Sequence, residues 1–377
     1  MRDSEILIWR LHNDPEPVVE SDTEPDRTPP RHENSTSIFD ADDRSIIALG
    51  DSSPSRASSK ASKPSRNSSP RKQFRNAELQ QTGFRTAGFE DEIKLPSLEQ
   101  LRRDLIGIQR GDRILPRGLR AQLDSEVNIP WFAYSESEDS TAYRYPGLEE
   151  IRHIFRRAKK CHHGHHGESS WNMDVHSKLF EWVLREGPES SGPLDYRYCR
   201  TAGVLPQYRP PGASSNMVDF CLAIEVNAEE GRMINSLCRS RPALSINHTD
   251  WGDLSRFPIA ISVKAKGYDD PYDTVLLQVA TWHAAQWRSL RWGGKALSAI
   301  EFLAGIIVIG HDWRFVATVL GEDDRTTTFE SIPIGGTDSI FAMYTLFAAL
   351  QRLKRWAEST YWPAFKCDML GDTEPEG

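Results

Sequence analysis

From about residue 198 the chain alternates short, dense apolar runs with long amphipathic ones, and this alternation restricts its fold more than any other feature. Runs at 198–204, 217–225, 243–248, 259–266, 306–309 and 315–320 have the length and composition of strands, while 274–290 and 339–358 have helical periodicity. Strands interleaved with helices predict an α/β fold with a central mixed sheet flanked by helices. Upstream, Leu98, Leu101, Leu105 and Ile108 recur at helical spacing behind Ser97, which reads as an N-cap. Ile151, Ile154, Phe155 and Ala158 mark a second helix over 148–160, followed by a loop at 161–167 and a third helix over 171–185. No internal repeat is visible. One domain over 78–366 with a flexible tail at 367–377 accounts for this part of the chain.

Residues 1–75 break the pattern. After a short amphipathic piece at 6–11 they are rich in Ser, Pro, Asp and Arg, with too little apolar surface to offset the entropy of ordering, so a disordered arm is expected over 1–77. Its charge is segregated: 1–51 carries thirteen acids against five Arg, whereas RASSKASKPSRNSSPRKQFR at 56–75 carries seven Lys or Arg and no acid. That basic block reads as a nuclear-import signal, a phosphate-contacting arm or a solvated tail, and SPRK at 69–72 resembles a proline-directed phosphorylation site. A protein partner, if there is one, is expected to use this arm.

The formal net charge of −8 excludes a surface that binds polyanions all over, but leaves room for a local basic patch. Two acids among the first five residues and no apolar core after them predict no secretory routing. The longest apolar run, FLAGIIVIG at 302–310, is about half of what a bilayer crossing needs and meets His311, Asp312 and Arg314 at once, so a buried strand and no membrane association are expected. Five scattered cysteines without a CxxC pair suit free thiols in a reducing compartment.

Four residues have the types and order needed for phosphodiester chemistry. Glu168 opens the helix that holds Trp171, Asn172 and His176; Asp219 lies on the strand at 217–225; Lys266 ends the strand at 259–266; Gln278 sits early in the helix after it. Carboxylates supply hard oxygen ligands for Mg²⁺ or Mn²⁺, the ion polarises a phosphoryl oxygen and generates hydroxide, and a lysine steadies the developing charge.

At this point the chain resembles the fungal PD-(D/E)XK nuclease-like domain proteins. The resemblance rests on ESSWNMDVHSKLFEWVL at 168–184, NMVDFCLAI at 216–224, SINHTDWGDL at 245–254, PIAISVKAK at 258–266, LLQVATWHAAQW at 276–287, GIIVIGHDW at 305–313 and YWPAF at 361–365. It runs along essentially the whole chain. It implies a restriction-endonuclease-like core in which Glu168, Asp219, the acid of the (D/E)XK element and its lysine converge on a divalent metal, with Gln278 in a supporting role.

The (D/E)XK element is where this sequence departs from the family. Aligned on Lys266, the acidic position falls on Lys264, and strand alternation puts Ser262, Lys264 and Lys266 on one face. No acid occurs between Asp253 and Asp269, and 274–290 has none, which leaves Asp269, Asp270 and Asp273 as the only nearby substitutes. Exchanging an anion for a cation beside a divalent ion changes the local charge by two units, and like charges ~4–6 Å apart repel by roughly 3–4 kcal/mol at an effective dielectric near 20. Mg²⁺ or Mn²⁺ is therefore expected to bind weakly or not at all, with no organic cofactor.

Three readings follow: a degenerate nuclease fold that binds DNA, RNA or another phosphate-bearing partner through Lys264, Lys266 and Ser262 without efficient cleavage; an active metal-dependent nuclease with a displaced carboxylate; and a protein-interaction scaffold. Each candidate also has a plainer explanation. Asp219 also fits a buried acid paired with Lys264 or Lys266, Glu168 a first-turn acid, and Gln278 a surface glutamine. Asn247, His248, Thr249 and Asp250 read as a turn rather than as a site with His248 for a general base. The histidines at 162–166 read as an exposed loop that collects metal adventitiously, and Trp282, Trp287 and Trp292 as packing.

Overall fold

The computed structural model describes residues 69–79, 83–90, 95–123, 127, 129–136, 143–186, 192–210, 218–268 and 270–371. Seven strands form one sheet: β1 (Phe84–Gly88), β2 (Leu194–Tyr198), β3 (Phe220–Ile224), β4 (Ile259–Lys266), β5 (Leu303–Ile309), β6 (Asp312–Leu320) and β7 (Thr326–Gly336). Their order across the sheet is β1-β7-β6-β5-β4-β3-β2. It is a mixed sheet, with β1/β7 and β4/β5 parallel and the other pairs antiparallel. The helices that matter here are α1 (Pro70–Leu79), α2 (Pro96–Arg110), α3 (Leu148–His163), α4 (Glu168–Trp171, a π-turn at Asn172–His176, then Ser177–Arg185), α5 (Ala228–Cys238), α6 (Tyr272–Leu290) and α7 (Ile340–Trp356).

Strand β4 shows why the sheet needs helices on both sides. Ile261, Val263 and Ala265 point into the large core shared with α2, α3, α4 and α7, while Ile259, past a register shift in the pairing with β3 that breaks the alternation, packs with Trp282 and Ala285 of α6. β5 behaves in the same way: Ile306 and Val308 join the large core, and Ile307 meets Val275 and Val279 of α6. A parallel β4/β5 pair needs a crossover, and α6 supplies it. Its apolar face comes so close to the sheet that a Cβ on Gly305 would lie 2.9 Å from the His283 ring, so only glycine fits there.

Several expectations change. The run at 243–248 is not a strand: Pro242–Leu244 is a single 3-10 turn, and the following residues are pinned by side chains. Asn247 Nδ2 donates to the Leu254 and Phe257 carbonyls, its Oδ1 accepts from Ile259 N, and Arg241 donates to the Ser245 and Ile246 carbonyls. Side-chain partners have satisfied backbone groups that a ladder would otherwise use. The strand expected at 198–204 lies earlier, at Leu194–Tyr198, while β1 and β7 were not anticipated. Leu95, not Ser97, is the N-cap of α2; Ser97 Oγ instead donates to Glu301 Oε2 at 2.6 Å. The expected loop at 161–167 begins as the last turn of α3, and α4 opens at Glu168.

The arm expected over 1–77 lies outside the described residues up to residue 68, but Pro70–Leu79 is helical, with Phe74 packed edge-on to Phe84. The five cysteines are free thiols, four of them buried. Among the described residues no helix is long and apolar enough to cross a membrane.

Candidate functional site

The site forms where the C-terminal end of β4 meets the start of β3 and the first turn of α4. Antiparallel pairing puts Phe220 opposite Val263. Asp219, one residue before β3, is therefore set across from Lys264, an arrangement held by the hydrogen bond from Asp219 N to the Val263 carbonyl. Asp219 is fully buried and Lys264 nearly so, at 5% exposure. Lys264 Nζ lies 2.8 Å from Asp219 Oδ2 and 3.6 Å from Glu168 Oε1. Lys266 Nζ, one strand period further on, donates to Glu168 Oε2 at 2.8 Å. Arg200, in the turn after β2, closes the cluster with Nε 3.7 Å from Glu168 Oε1 and a hydrogen bond to Ser169 Oγ. Two acids thus meet three bases.

The buried acid has other partners. Asp219 Oδ2 also accepts from Ala265 N at 2.8 Å, and Oδ1 faces Asn172 Nδ2 at 3.5 Å. Asn172 is oriented in turn by His176, whose Nδ1–H donates to Asn172 Oδ1 at 2.9 Å. Both residues sit in the π-turn of α4, a widened turn of a kind often found at functional sites. Burial pushes the His176 ring down to about 3, so it is a neutral donor near pH 7.

The two carboxyls lie against each other and titrate in opposite directions. Burial raises Asp219, the neighbouring Glu168 raises it further, and Lys264 opposes both, leaving it at about 6. Burial alone would raise Glu168, but hydrogen bonds with Asp219 and Lys266 outweigh it and bring the group down to about 2. The pair therefore takes up its first proton on Asp219 only as pH falls through about 6, while Glu168 keeps its charge. Burial works against the Lys266 ammonium, yet Glu168 raises its pKa above the usual value.

The structure brings Glu168, Asp219, Lys264 and Lys266 together; the other expected residues are placed differently. Lys264 does not face outward as a phosphate-contacting cation, because its ammonium is buried and bonded to Asp219. Ser262 is not available to a ligand: it is fully buried, and its Oγ accepts from Trp282 Nε1 at 3.0 Å. Gln278 lies one turn before Trp282 on α6, hence on the same helix face, and its Oε1 is buried without a hydrogen-bond partner among the described residues. His248 is fully buried edge-on to Trp282 and pushed by burial to about 3, which removes it as a base near neutral pH. Of the substitute acids, Asp269 lies outside the described residues, and Asp270 acts on Lys266 through its charge.

Arg200, Asn172 and His176 had been given no role. For the last two a signal existed, since a polar pair at i, i+4 interrupts an otherwise apolar helix face. Arg200 lies in a turn that has no periodicity to mark it.

A family model described as PD-(D/E)XK nuclease superfamily matches residues 119–362, which include the whole cluster. The chain belongs to that superfamily. No curated protein and no solved structure gives a significant match to it.

Proposed function

We propose that this PD-(D/E)XK protein is a non-cleaving member of its superfamily that holds nucleic acid by its phosphates, of the kind represented by the fungal nuclease-like proteins its motifs resemble. One observation carries the reading: the Lys264 ammonium contacts both Asp219 and Glu168, where a divalent ion would need both carboxylates free. Mg²⁺ requires near-octahedral oxygen donors at close range. Here Asp219 is occupied by an ammonium and a backbone N–H, Glu168 by two ammonium groups and a guanidinium, and the third acid is absent. That donor set does not suit Mg²⁺ or Mn²⁺, so no hydrolytic step is assigned to the site.

Phosphate contact falls to the rim. Lys266 and Arg200 are partly exposed, with side chains 22% and 50% accessible. Both stand at the first turn of α4, whose N-terminal dipole favours anions. The basic block at 56–75, largely outside the described residues, would add phosphate contacts and carry nuclear import. An active enzyme is the second reading, favoured by the charge of Asp270 beside Lys266.

A binding and cleavage assay on single- and double-stranded DNA and RNA with Mg²⁺ or Mn²⁺, comparing wild type with Lys264→Glu and a Lys266→Ala/Arg200→Ala double variant, separates the readings. Wild type is expected to bind without cutting, with affinity that falls as salt rises because phosphate contacts release counterions. The double variant should bind more weakly, and its salt slope should fall by about 1 per lost contact. Chelator-sensitive cutting by wild type would establish the second reading. Indifference to every nucleic acid would leave the protein-interaction scaffold.

A further inference from the structure

Helix α6 covers its face of the sheet only as far as its last turn. Strand alternation puts Thr318 and Leu320 of β6 on that face, opposite Thr328 and Thr326 of β7. Under the helix the Thr318 hydroxyl is matched, with His283 Nδ1 and Thr328 Oγ1 at 2.8 and 2.9 Å, and Trp287 Nε1 donates to the Thr318 carbonyl at 3.2 Å. At the helix end, Thr326 Oγ1 has no hydrogen-bond partner among the described residues, although Thr326 is only 4% exposed. Thr326 lines a cavity of about 310 Å³, at the lower end of the roughly 300–1,000 Å³ usual for small-ligand sites. The buried Trp287 and Thr326 form its base, and the exposed Trp292 and Asp324 its mouth.

We propose that this cavity binds a nucleotide, with the base against the Trp292 indole, the phosphate on Arg288 and Arg291, and the Thr326 hydroxyl hydrogen-bonded to a polar atom of the ligand. Trp282 and Trp287 are buried as packing requires, but Trp292 is 39% exposed. Its ring is held in place by an edge-on contact with Tyr208 at 5.4 Å and by Nε1 donating to the Ser240 carbonyl at 3.2 Å. A fixed, accessible aromatic face is a platform for a planar base. The charged lining is two guanidinium groups, Arg288 and Arg291, against the single carboxylate of Asp324, and guanidinium forks match phosphate oxygens. An inorganic anion would leave the aromatic wall unused, and an uncharged aromatic would leave the guanidinium groups unused.

Two features oppose an anion here, and both are weak. The α6 dipole is negative at this end, but Arg291 N and Trp292 N donate to the Trp287 and Ser289 carbonyls and cover part of it. Arg291 is paired with Asp324, but both side chains are exposed, so exchanging that partner for a phosphate oxygen costs little. The site does not depend on the rim around Lys266 and Arg200. It lies at the far end of α6, whose 19 residues span about 28 Å from the turn after β4. A free mononucleotide and one nucleotide of a bound strand offer the same base and phosphate.

The test titrates the full chain with adenosine monophosphate, read by tryptophan fluorescence and calorimetry, with adenosine and inorganic phosphate as separate arms. The expected result is saturation at one equivalent with quenching, and at least about tenfold weaker binding of either fragment. Trp292→Ala should weaken binding at least about fivefold, and Thr326→Val, which replaces the hydroxyl by a methyl, about threefold to tenfold. Trp131→Ala, at an exposed indole outside the cavity, should leave binding unchanged. Displacement of the monophosphate by a short single-stranded oligonucleotide identifies a strand nucleotide as the source, and saturation undisturbed by it identifies a free one. The proposal is overturned if wild type does not saturate below about 1 mM nucleotide, or if phosphate alone binds as tightly. It is equally overturned if Trp292→Ala and Thr326→Val, shown to be folded by cooperative unfolding, bind as wild type does, which would leave adventitious stacking on exposed indoles. Binding that disappears in Lys266→Ala/Arg200→Ala would place the nucleotide at the rim and overturn it as well.

Discussion

Replacing Lys264 with methionine keeps the length of the side chain and removes its charge, leaving Asp219 buried with no ammonium against it. Asp219 is 0% exposed and would keep the Ala265 N–H, the Asn172 amide and the neighbouring Glu168 carboxyl, none of them a cation. Breaking a buried pair by removing one partner costs about 3–5 kcal/mol, so Lys264→Met should lose about that much at pH 8. The cost should depend on pH. Asp219 sits at about 6 in the folded protein against an ordinary value of 3.8, so the folded state binds its proton more tightly than the unfolded chain does. Its contribution is complete below about pH 3.8 and is lost as pH rises through 6. Lys264 is one of the groups lowering that value, so its removal moves the folded value higher and extends the loss above pH 6 at up to roughly 1.4 kcal/mol per pH unit. Urea unfolding of wild type and variant at pH 5.5, 6.5 and 8 reads the difference directly, and the gap should narrow by about half or more at pH 5.5. The double variant Asp219→Asn/Lys264→Met should recover most of the loss, because a neutral replacement of both partners carries no stranded charge. A variant as stable as wild type at pH 8, or a gap that does not change with pH, would refute the pairing.

Glu168 titrates in the opposite sense: lowered to about 2, it stabilises the fold above its unfolded value of 4.5, and that contribution is lost as pH falls towards 2. Glu168→Gln should therefore remove up to about 3 kcal/mol of the acid-side decline seen in wild type between pH 4.5 and 2, measured as a flatter denaturation midpoint against pH. Gly335→Ala should fail to fold or lose more than about 3 kcal/mol, since Gly335 has φ of +110° and a Cβ there would lie 2.5 Å from Leu346 N; soluble yield and thermal midpoint report it. Trp282→Phe should cost roughly 1–3 kcal/mol by stranding the buried Ser262 hydroxyl, and adding Ser262→Ala should return part of it in a double-mutant cycle.

Strand β4 was legible in the sequence to the residue, because Pro258 and Gly267 bound an uninterrupted run with period-two chemistry. The same logic failed for β7, where Pro333, Gly335 and Gly336 resemble turn signals although the strand lies inside the sheet. Its irregular pairing with β6 explains the tolerance, since register shifts fall between Asp312 and Arg314 and between Phe315 and Ala317. β1 was too short for a periodic signal, and it pairs in parallel with a strand some 240 residues later, a partner no local pattern announces. In the site, strand alternation identified the face that carries Lys264 but could not tell a solvent-facing ammonium from one that bends back onto Asp219. That depended on the antiparallel register with β3, a tertiary fact.

On the proposed reading, the lysine at this position takes over a charge that a bound metal ion would otherwise supply. Two carboxylates brought together at the end of a buried strand repel each other unless a cation or a proton intervenes. A divalent ion supplies that charge only while it is bound, whereas Lys264 supplies it permanently and from within the strand that organises the site. The apolar face of β4, with Ile261, Val263 and Ala265, is unaffected by the exchange, so the sheet and its helices assemble as the superfamily requires. What changes is the field. Glu168 and Asp219 against Lys264, Lys266 and Arg200 give a local surplus of one positive charge when all five are ionised, in a chain whose formal net charge is −8. Protonation of Asp219 below about pH 6 increases that surplus. The phosphate affinity proposed for this rim should therefore strengthen as pH falls from 7 to 5.5, the opposite of what a centre dependent on ionised carboxylates and a metal would do.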